Sequence, residues 1–355
     1  MKILIIALSG IGDALMFTPA LKLLREHLPD AQIDALVMFK GASDIFKNNP
    51  NLNSIYFFDF LKEGALKSFR YIVGIRGKYD ITLSVYPSNR KEYNIINFLI
   101  GAKKRTAVKY LRRDFQNLGF LNNPRVLEDD TVHNVQTNIK LCEEILDKKF
   151  LEEPSLELYP GDEEKSAAID FFLNIGMKPA DAIIGFHPGC ATFKNHIKRR
   201  WEPEKFSELG QRLIEKYKAK ILIFGGPDEA ELKDEIKNRI NSPEVFVVNT
   251  GNILQSSAIM QHCSVFVTND SSQMHIASAL RLKVVAIIGP TNEHYIYPWK
   301  TENKIVSVNL DCSPCFFYSP RPLICSRDDV KFKCIKDIDV DMVYNSVKFF
   351  LDQST

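Results

Sequence analysis

Short apolar runs separated by helical stretches, a pattern that occurs twice along the chain, constrain the fold more than any single motif. In the first half Ile3 to Leu8, Ile33 to Met38, Ile55 to Phe58 and Ile81 to Val85 are apolar segments of strand length, while Leu15 to Leu28 has helical spacing. Such alternation predicts a mainly parallel sheet with helices on both faces. Val132, Val135, Ile139, Cys142, Ile145 and Leu146 mark a helix that closes this half. Between Glu152 and Asp181 the pattern weakens, with Pro154, Pro160, Gly161, Gly176 and Pro179 around one expected helix. It restarts with Ile183 to Phe186, Ile221 to Phe224, Val245 to Val248, Val265 to Val267 and Val284 to Ile288. The expected division is a Rossmann-like domain over 1–160, a linker region over 161–182, a second Rossmann-like domain over 183–338 and a C-terminal helix over 339–355. Two open α/β sheets in tandem present their strand ends across a cleft, and ligands bind at those carboxyl ends.

A chain of 355 residues suits two domains of ordinary size. With 45% apolar and 25% charged residues, its composition is that of a globular protein rather than a disordered or membrane-spanning one. The net charge of +2 gives no reason to expect nucleic acid as a partner. Charge is nonetheless uneven, with Lys103, Lys104, Arg105, Lys109, Arg112 and Arg113 falling in one stretch. The apolar run after Met1 and Lys2 ends at glycines and Asp13 without a clean cleavage site, so it reads as a first strand rather than a signal peptide. No apolar segment approaches membrane-spanning length. The odd cysteine count and the absence of an export signal point to a reducing compartment, hence the cytoplasm.

The loops after the strands carry the chemistry. Val265 to Val267 runs into Thr268-Asn269-Asp270-Ser271-Ser272-Gln273-Met274-His275, where Asp270 and Ser271 are helix-starting residue types. The first N–H groups of such a helix have no internal partners and can hold a diphosphate; the alternative role is an ordinary cap. Ser9-Gly10-Ile11-Gly12-Asp13 follows the first strand, and Asp13 sits where a helix begins, as a candidate proton acceptor or simply a capping residue. A dinucleotide fingerprint would need glycine at position 15, which is Leu15. His187-Pro188-Gly189-Cys190 ends another strand, and Lys198-Arg199-Arg200-Trp201 offers cations that could meet a departing phosphate or form a solvated basic loop. Gly225-Gly226-Pro227-Asp228-Glu229 could accept ribose hydroxyls or make a turn, and Gly289-Pro290-Thr291 adds a further loop.

Taken together, Gly10-Ile11-Gly12-Asp13 with Thr18-Pro19-Ala20-Leu21, His187-Pro188-Gly189, Arg200-Trp201, Gly225 to Glu229, Asp270-Ser271 with Met274-His275, and Gly289-Pro290-Thr291 with Pro298-Trp299 resemble glycosyltransferase family 9. These are the ADP-heptose:lipopolysaccharide heptosyltransferases. The resemblance implies a GT-B fold, with an ADP-sugar donor bound by the second half and a glycan or glycolipid acceptor by the first. It also implies a C-terminal helix crossing back onto the first domain, inversion at the sugar carbon without a catalytic metal or cofactor, and peripheral contact with the cytoplasmic face of the inner membrane. Asp13 falls on the general base, with Arg199 or Lys198 supplying a catalytic cation. His187, Gly189, Arg200, Gly226, Asp228, Glu229, Asp270, Ser271, Ser272, Met274 and His275 fall on the donor side. Gly10, Gly12, Lys104, Arg105, Arg112 and Arg113 are the acceptor-side candidates, the cations because a phosphorylated acceptor would suit them.

The chain departs from the family pattern at Arg199, where lysine is frequent, and at Ser272, where glycine is. Arginine is a fork rather than a point donor. A nucleotide-sugar epimerase or hydrolase on the same fold, or a non-catalytic sugar-nucleotide-binding protein, are the competing readings. Cys312, Cys315, Cys325 and Cys334 have a spacing that could hold structural zinc or iron, and similar clusters are seen in many members of the family; the alternative is reduced structural thiols.

Overall fold

The structure is a computed structural model that describes residues 1–178, 181–317 and 322–353. It divides into two compact units, one over residues 1–159 and one over the described residues from Pro160 onward.

In the first unit, strands β1 (Lys2–Ala7), β2 (Gln32–Val37), β3 (Ser54–Phe57), β4 (Ile81–Ser84), β5 (Lys104–Lys109) and β6 (Arg125–Leu127) form a sheet of order β3-β2-β1-β4-β5-β6. All pairings between these strands are parallel. Helices α1 (Ile11–His27), α2 (Lys40–Phe46), α3 (Gly64–Ile75), α4 (Lys91–Ile100) and α5 (Asn134–Leu146) cover it. The central strands are buried along nearly their whole length, which is why they read as unbroken apolar runs. The strand order reverses between β1 and β4, the position where an open α/β sheet opens a crevice at its carboxyl edge.

The second unit repeats the plan. Strands β7 (Ile183–His187), β8 (Lys220–Ile223), β9 (Val245–Val247), β10 (Val265–Asn269), β11 (Lys283–Ile287) and β12 (Asn303–Val306) run β12-β11-β10-β7-β8-β9, again in parallel, with the reversal between β7 and β10. Around them lie α6 (Asp162–Asn174), α7 (Pro203–Tyr217), α8 (Ala230–Ile240), α9 (Ile253–Met260), α10 (Ser272–Ala279), α11 (Lys333–Lys336) and α12 (Val340–Asp352). α7 shows how the sequence makes such a helix. Pro203 occupies its first turn, where a missing N–H costs nothing, and Phe206, Leu209, Gly210 and Leu213 repeat at helical spacing to form the buried face.

The region 161–182 contains one helix, α6, which packs on α9 within the second unit. Pro179 lies outside the described residues. Within the second unit the C-terminal helix packs on the sheet. Asp339 caps α12 by accepting the Met342 N–H at 2.8 Å, and Val340, Val343, Val347, Phe350 and Leu351 enter the apolar core beside Val285, Ile287 and Val306 of the second sheet. The buried Trp201 indole fixes the approach to this helix by donating to the Ile338 carbonyl at 2.8 Å. Each large side chain in such a stripe contributes about 1.5–3 kcal/mol on burial, so the stripe commits the helix to the surface that covers it.

Candidate active site

In the second unit the site is built where β7 and β10 end side by side. Thr268 of β10 lies level with His187, the last residue of β7, so the loops after both strands emerge together. Asn269 closes that junction. Its amide donates to the Pro188 carbonyl at 2.7 Å, and its Oδ1 accepts the Trp201 N–H at 3.0 Å. One buried side chain thus ties three loops, a role that its position just before Asp270 would have suggested only to a search for strand-end amides.

Asp270 is the centre of one cluster. Its Oδ2 accepts from Arg199 Nη1 at 2.5 Å and from Thr291 Oγ1 at 2.6 Å, with Asp270 and Arg199 both buried. Arg199 also lies against the Phe316 ring at 5.7 Å and approaches His196 Nδ1 at 3.3 Å. Of the two cations considered for catalysis, Arg199 is therefore inside the site, whereas Lys198 is exposed. Thr291 and His196 join this cluster although neither was a sequence candidate. Thr291 was visible only as the end of the Gly289-Pro290 loop, and His196 carried no signal.

A second cluster surrounds Glu229. Its Oε2 meets His187 Nε2 at 3.2 Å and accepts the Gly226 N–H at 3.0 Å, while its Oε1 accepts from Arg200 at 3.2 Å. Burial alone would raise the Glu229 carboxyl, but the His187, Gly226 and Arg200 contacts outweigh it and hold the group below its ordinary value. An ionised Glu229 can only accept here, so His187 Nε2–H donates to it. That leaves Nδ1 to accept from Ser271 Oγ, 3.0 Å away. Gly189 admits this carboxylate, since a Cβ there would lie 1.7 Å from Glu229 Oε1. Asp228, by contrast, is exposed, as is Gly226.

Ser271 is the N-cap of α10, and Ser272 opens the helix, so the helix presents unpaired N–H groups and partial positive charge beside Asp270. Ser272 shows no positive φ, so serine substitutes for glycine there without backbone strain. Met274 is fully buried. His275 is buried too, with Nδ1 lacking a hydrogen-bond partner among the described residues. Burial pushes its pKa down to about 4 against the raising effect of Asp270, so the ring is neutral at pH 7. Nearby, the buried Lys233 ammonium ties β8 to β9 by donating to the Gly225 and Val248 carbonyls and to Asn249 Oδ1.

In the first unit Gly10, Gly12 and Asp13 form the start of α1 at the β1/β4 reversal. Asp13 is half-buried, and its Oδ2 accepts the Gly10 N–H at 2.8 Å. The capping role is therefore real, and the carboxylate retains further acceptor capacity. Tyr110, whose hydroxyl accepts the Ser88 N–H at 2.5 Å, is pushed up by burial, and the charges of Glu128 and Asp13 add to this. The cationic stretch divides. Arg112 and Arg113 follow β5 at the same carboxyl edge as Asp13, with Arg112 forked onto Asp130 at 2.7 and 3.2 Å. Lys104 and Arg105 do not belong with them. They open β5, level with the start of β1, roughly 17 Å of strand away from that edge, and Arg105 is spent on the Leu121 and Ala102 carbonyls. The sequence placed all four together because a parallel strand separates its two ends without changing their spacing in the chain.

Among the described residues no group of three or more His, Cys, Asp or Glu side chains is arranged to hold an ion. The Cys325 sulfur instead accepts the Phe332 N–H at 3.2 Å, and the Cys312 sulfur lies 3.8 Å from Arg327. The Cys334 thiol is pushed up to about 11, chiefly by burial and then by the other three cysteines.

Two Rossmann-like units, the second holding a helix N-terminus, a buried arginine and two carboxylates at its topological reversal, make this a protein of the GT-B fold class. Residues 72–321 match the family model of glycosyltransferase family 9 (heptosyltransferase), and the chain belongs to that family. It is 27% identical to lipooligosaccharide heptosyltransferase 2 of Campylobacter jejuni, over 100% of this chain and 99% of that protein. It is 26% identical to lipopolysaccharide heptosyltransferase 2 of Escherichia coli K12, over 86% of this chain and 88% of that one. The structure of the E. coli ADP-heptose LPS heptosyltransferase II shares the fold, with a TM-score of 0.77 at 22% identity over 100% and 99% of the two chains.

Proposed function

We propose that this chain transfers a heptose from ADP-heptose to a saccharide of a lipopolysaccharide core, with inversion at the anomeric carbon. The observation that carries this reading is the pairing, at one strand-end junction, of Asp270 with Arg199 and Thr291 beside the open N-terminus of α10. A diphosphate suits the helix N–H groups and the arginine, and a sugar hydroxyl suits Asp270 Oδ1, since Oδ2 already takes two donors. The names of the relatives, which are lipo(poly)saccharide heptosyltransferases, support heptose and a lipid-linked acceptor.

In this mechanism Asp13 removes the proton of an acceptor hydroxyl as its oxygen attacks the anomeric carbon. The bond from that carbon to the diphosphate oxygen breaks, and ADP departs with the electron pair. Charge developing on the leaving diphosphate is met by the N–H groups of α10 and by Arg199, positioned before the reaction begins. His187 and Glu229 hold Ser271 in place at the same helix end. The second unit is the donor side and the first unit, with Gly10, Gly12, Arg112 and Arg113, is the acceptor side.

Asp13→Asn tests the proposal. Asparagine keeps an oxygen for the Gly10 N–H, so folding and donor binding should persist, while turnover falls by about 10²- to 10⁴-fold. Undiminished transfer by the variant would remove Asp13 as the base. Thermal stabilisation by ADP but not by UDP, GDP or NAD is the matching donor test.

A further inference from the structure

We propose that His196 is a positioning residue, which fixes the plane of the Arg199 guanidinium and through it the grip of this site on the β-phosphate of a nucleoside diphosphate. Arg199 is engaged from two sides. Its Nη1 donates to Asp270 Oδ2 at 2.5 Å, and its Nη2 approaches His196 Nδ1 at 3.3 Å. Arginine carries donors only, so Nδ1 accepts and the proton of the neutral ring sits on Nε2. Nε2 has no hydrogen-bond partner among the described residues, so the bond to Arg199 is what orients the imidazole about its own axis. The dependence runs the other way as well. A carboxylate on one nitrogen leaves the guanidinium plane free to rock about that contact, and an acceptor on the other nitrogen stops it.

The loop that carries His196 is built to hold it there. The ring lies between Phe193, at 5.0 Å, and the edge of Phe316, at 5.2 Å, and Phe316 also lies against Arg199. Lys194 and Asn195, just before it, take φ of 53° and 61° in succession. Asparagine tolerates that left-handed conformation, whereas lysine adopts it only at a cost. The turn is clamped nonetheless: the Lys194 carbonyl accepts the Leu323 N–H at 2.9 Å, the Asn195 amide donates to the Leu323 carbonyl at 3.2 Å, and the Cys190 thiol donates to the His196 carbonyl at 3.1 Å. Strain held in this way points to a function for what the turn presents, and it presents His196 to Arg199. Burial and the neighbouring Arg199 push the imidazole down to about 4, against the raising effect of Asp270, so the ring is neutral and able to accept at pH 7.

The inference rests on the reading of this site as the seat of a diphosphate, and calorimetry of the full chain with ADP and with AMP tests it without heptose or acceptor. Wild type is expected to bind ADP more tightly than AMP. His196→Phe keeps a ring between Phe193 and Phe316 but removes the acceptor, and should lower ADP affinity by about tenfold with AMP affinity and melting temperature unchanged. His196→Asn gives up the ring but can place its amide oxygen where Nδ1 lies, and should return ADP affinity to within about threefold of wild type. A residue that only packs between two rings would give the opposite order, with phenylalanine harmless and asparagine damaging, and that order would overturn the inference. So would an undiminished loss on His196→Phe in an Arg199→Met background, where no guanidinium remains to be positioned, or a wild type that does not prefer ADP to AMP. Heptose transfer is measured separately. A wild type that transfers no heptose, yet loses its preference for ADP in His196→Phe, would sink the transferase reading and leave His196 in its role; transfer by wild type with unaltered ADP affinity in His196→Phe would do the reverse.

Discussion

The Arg199–Asp270 pair allows a quantitative test of how the donor site is held together. Replacing Arg199 by Met keeps the side-chain volume roughly constant but strands a carboxylate that is 5% exposed, with the Thr291 hydroxyl as its remaining side-chain donor among the described residues. Breaking a buried pair from one side costs about 3–5 kcal/mol, because the remaining charge is desolvated without compensation. In a unit of this size that corresponds to a fall in melting temperature of roughly 10 °C. Asp270→Asn should cost somewhat less, since the amide oxygen can still accept from Thr291 and Arg199 retains its contact with the Phe316 ring.

The double variant decides the matter. With both charges gone nothing is stranded, so Arg199→Met/Asp270→Asn should be about as stable as the worse single variant, giving a coupling energy of about 2–4 kcal/mol. Denaturant melts of the four proteins at one pH measure it. Costs that simply add, within about 0.5 kcal/mol, would show that the two side chains do not depend on each other and would refute the argument. The same set separates stability from chemistry. The double variant should remain folded yet lose about 10²- to 10³-fold in kcat, since no arginine meets the leaving diphosphate.

Two further outcomes are expected. His275 is held neutral in the folded state with its pKa near 4, against 6.5 for an ordinary histidine, so the unfolded chain gains a proton first as pH falls. Stability should therefore be full above pH 6.5 and drop by about 3 kcal/mol towards pH 4, and His275→Gln should flatten that fall in denaturant melts across pH; a profile identical to wild type would contradict the assignment. Gly189→Ala would place a methyl group on Glu229 Oε1 and push the carboxylate away from His187 and Arg200. The carboxylate can swing aside, so the protein should fold while its KM for donor rises by about tenfold or more; an unchanged KM would show that Glu229 does not organise the site.

What the sequence disclosed follows from what burial leaves in it. β1, β2, β4, β7, β8, β10 and β11 lie inside their sheets, and their apolar runs were legible. β5, β6 and β12 were not, because they carry Lys104, Arg105, Lys109, Arg125 and Lys304, so that strand pairing rather than local pattern fixes them, whereas the edge strands β3 and β9 kept apolar runs and were legible. The loops of the site were found for a related reason. Every one follows an apolar strand, and strand direction fixes which ends of parallel strands share an edge. Side-chain partners escaped, since no periodicity in the chain records that Asp270 and Phe316 draw Arg199 inward while Lys198 beside it stays in solvent.

The two kinds of residue the sequence could not rank, carboxylates and cations in loops, are sorted in the structure by a single criterion. Asp270 and Glu229 each sit where a carboxylate is met by an arginine and by a strand-end hydroxyl or imidazole, and both are largely withdrawn from water. Asp228, next to Glu229 in the chain, is exposed. Withdrawal from water is what makes the difference chemical, because the same pair contributes little in solvent and much in a low-dielectric site. A donor that arrives with two phosphates and several hydroxyls must find its partners already oriented, and the opposed arginine-carboxylate clusters orient one another before it does. Weakening one cluster should therefore loosen the other through Ser271 and His187, which lie between the α10 terminus and Glu229. Ser271→Ala in the Gly189→Ala background should then cost less than in wild type, since the second substitution acts on a link the first has already released.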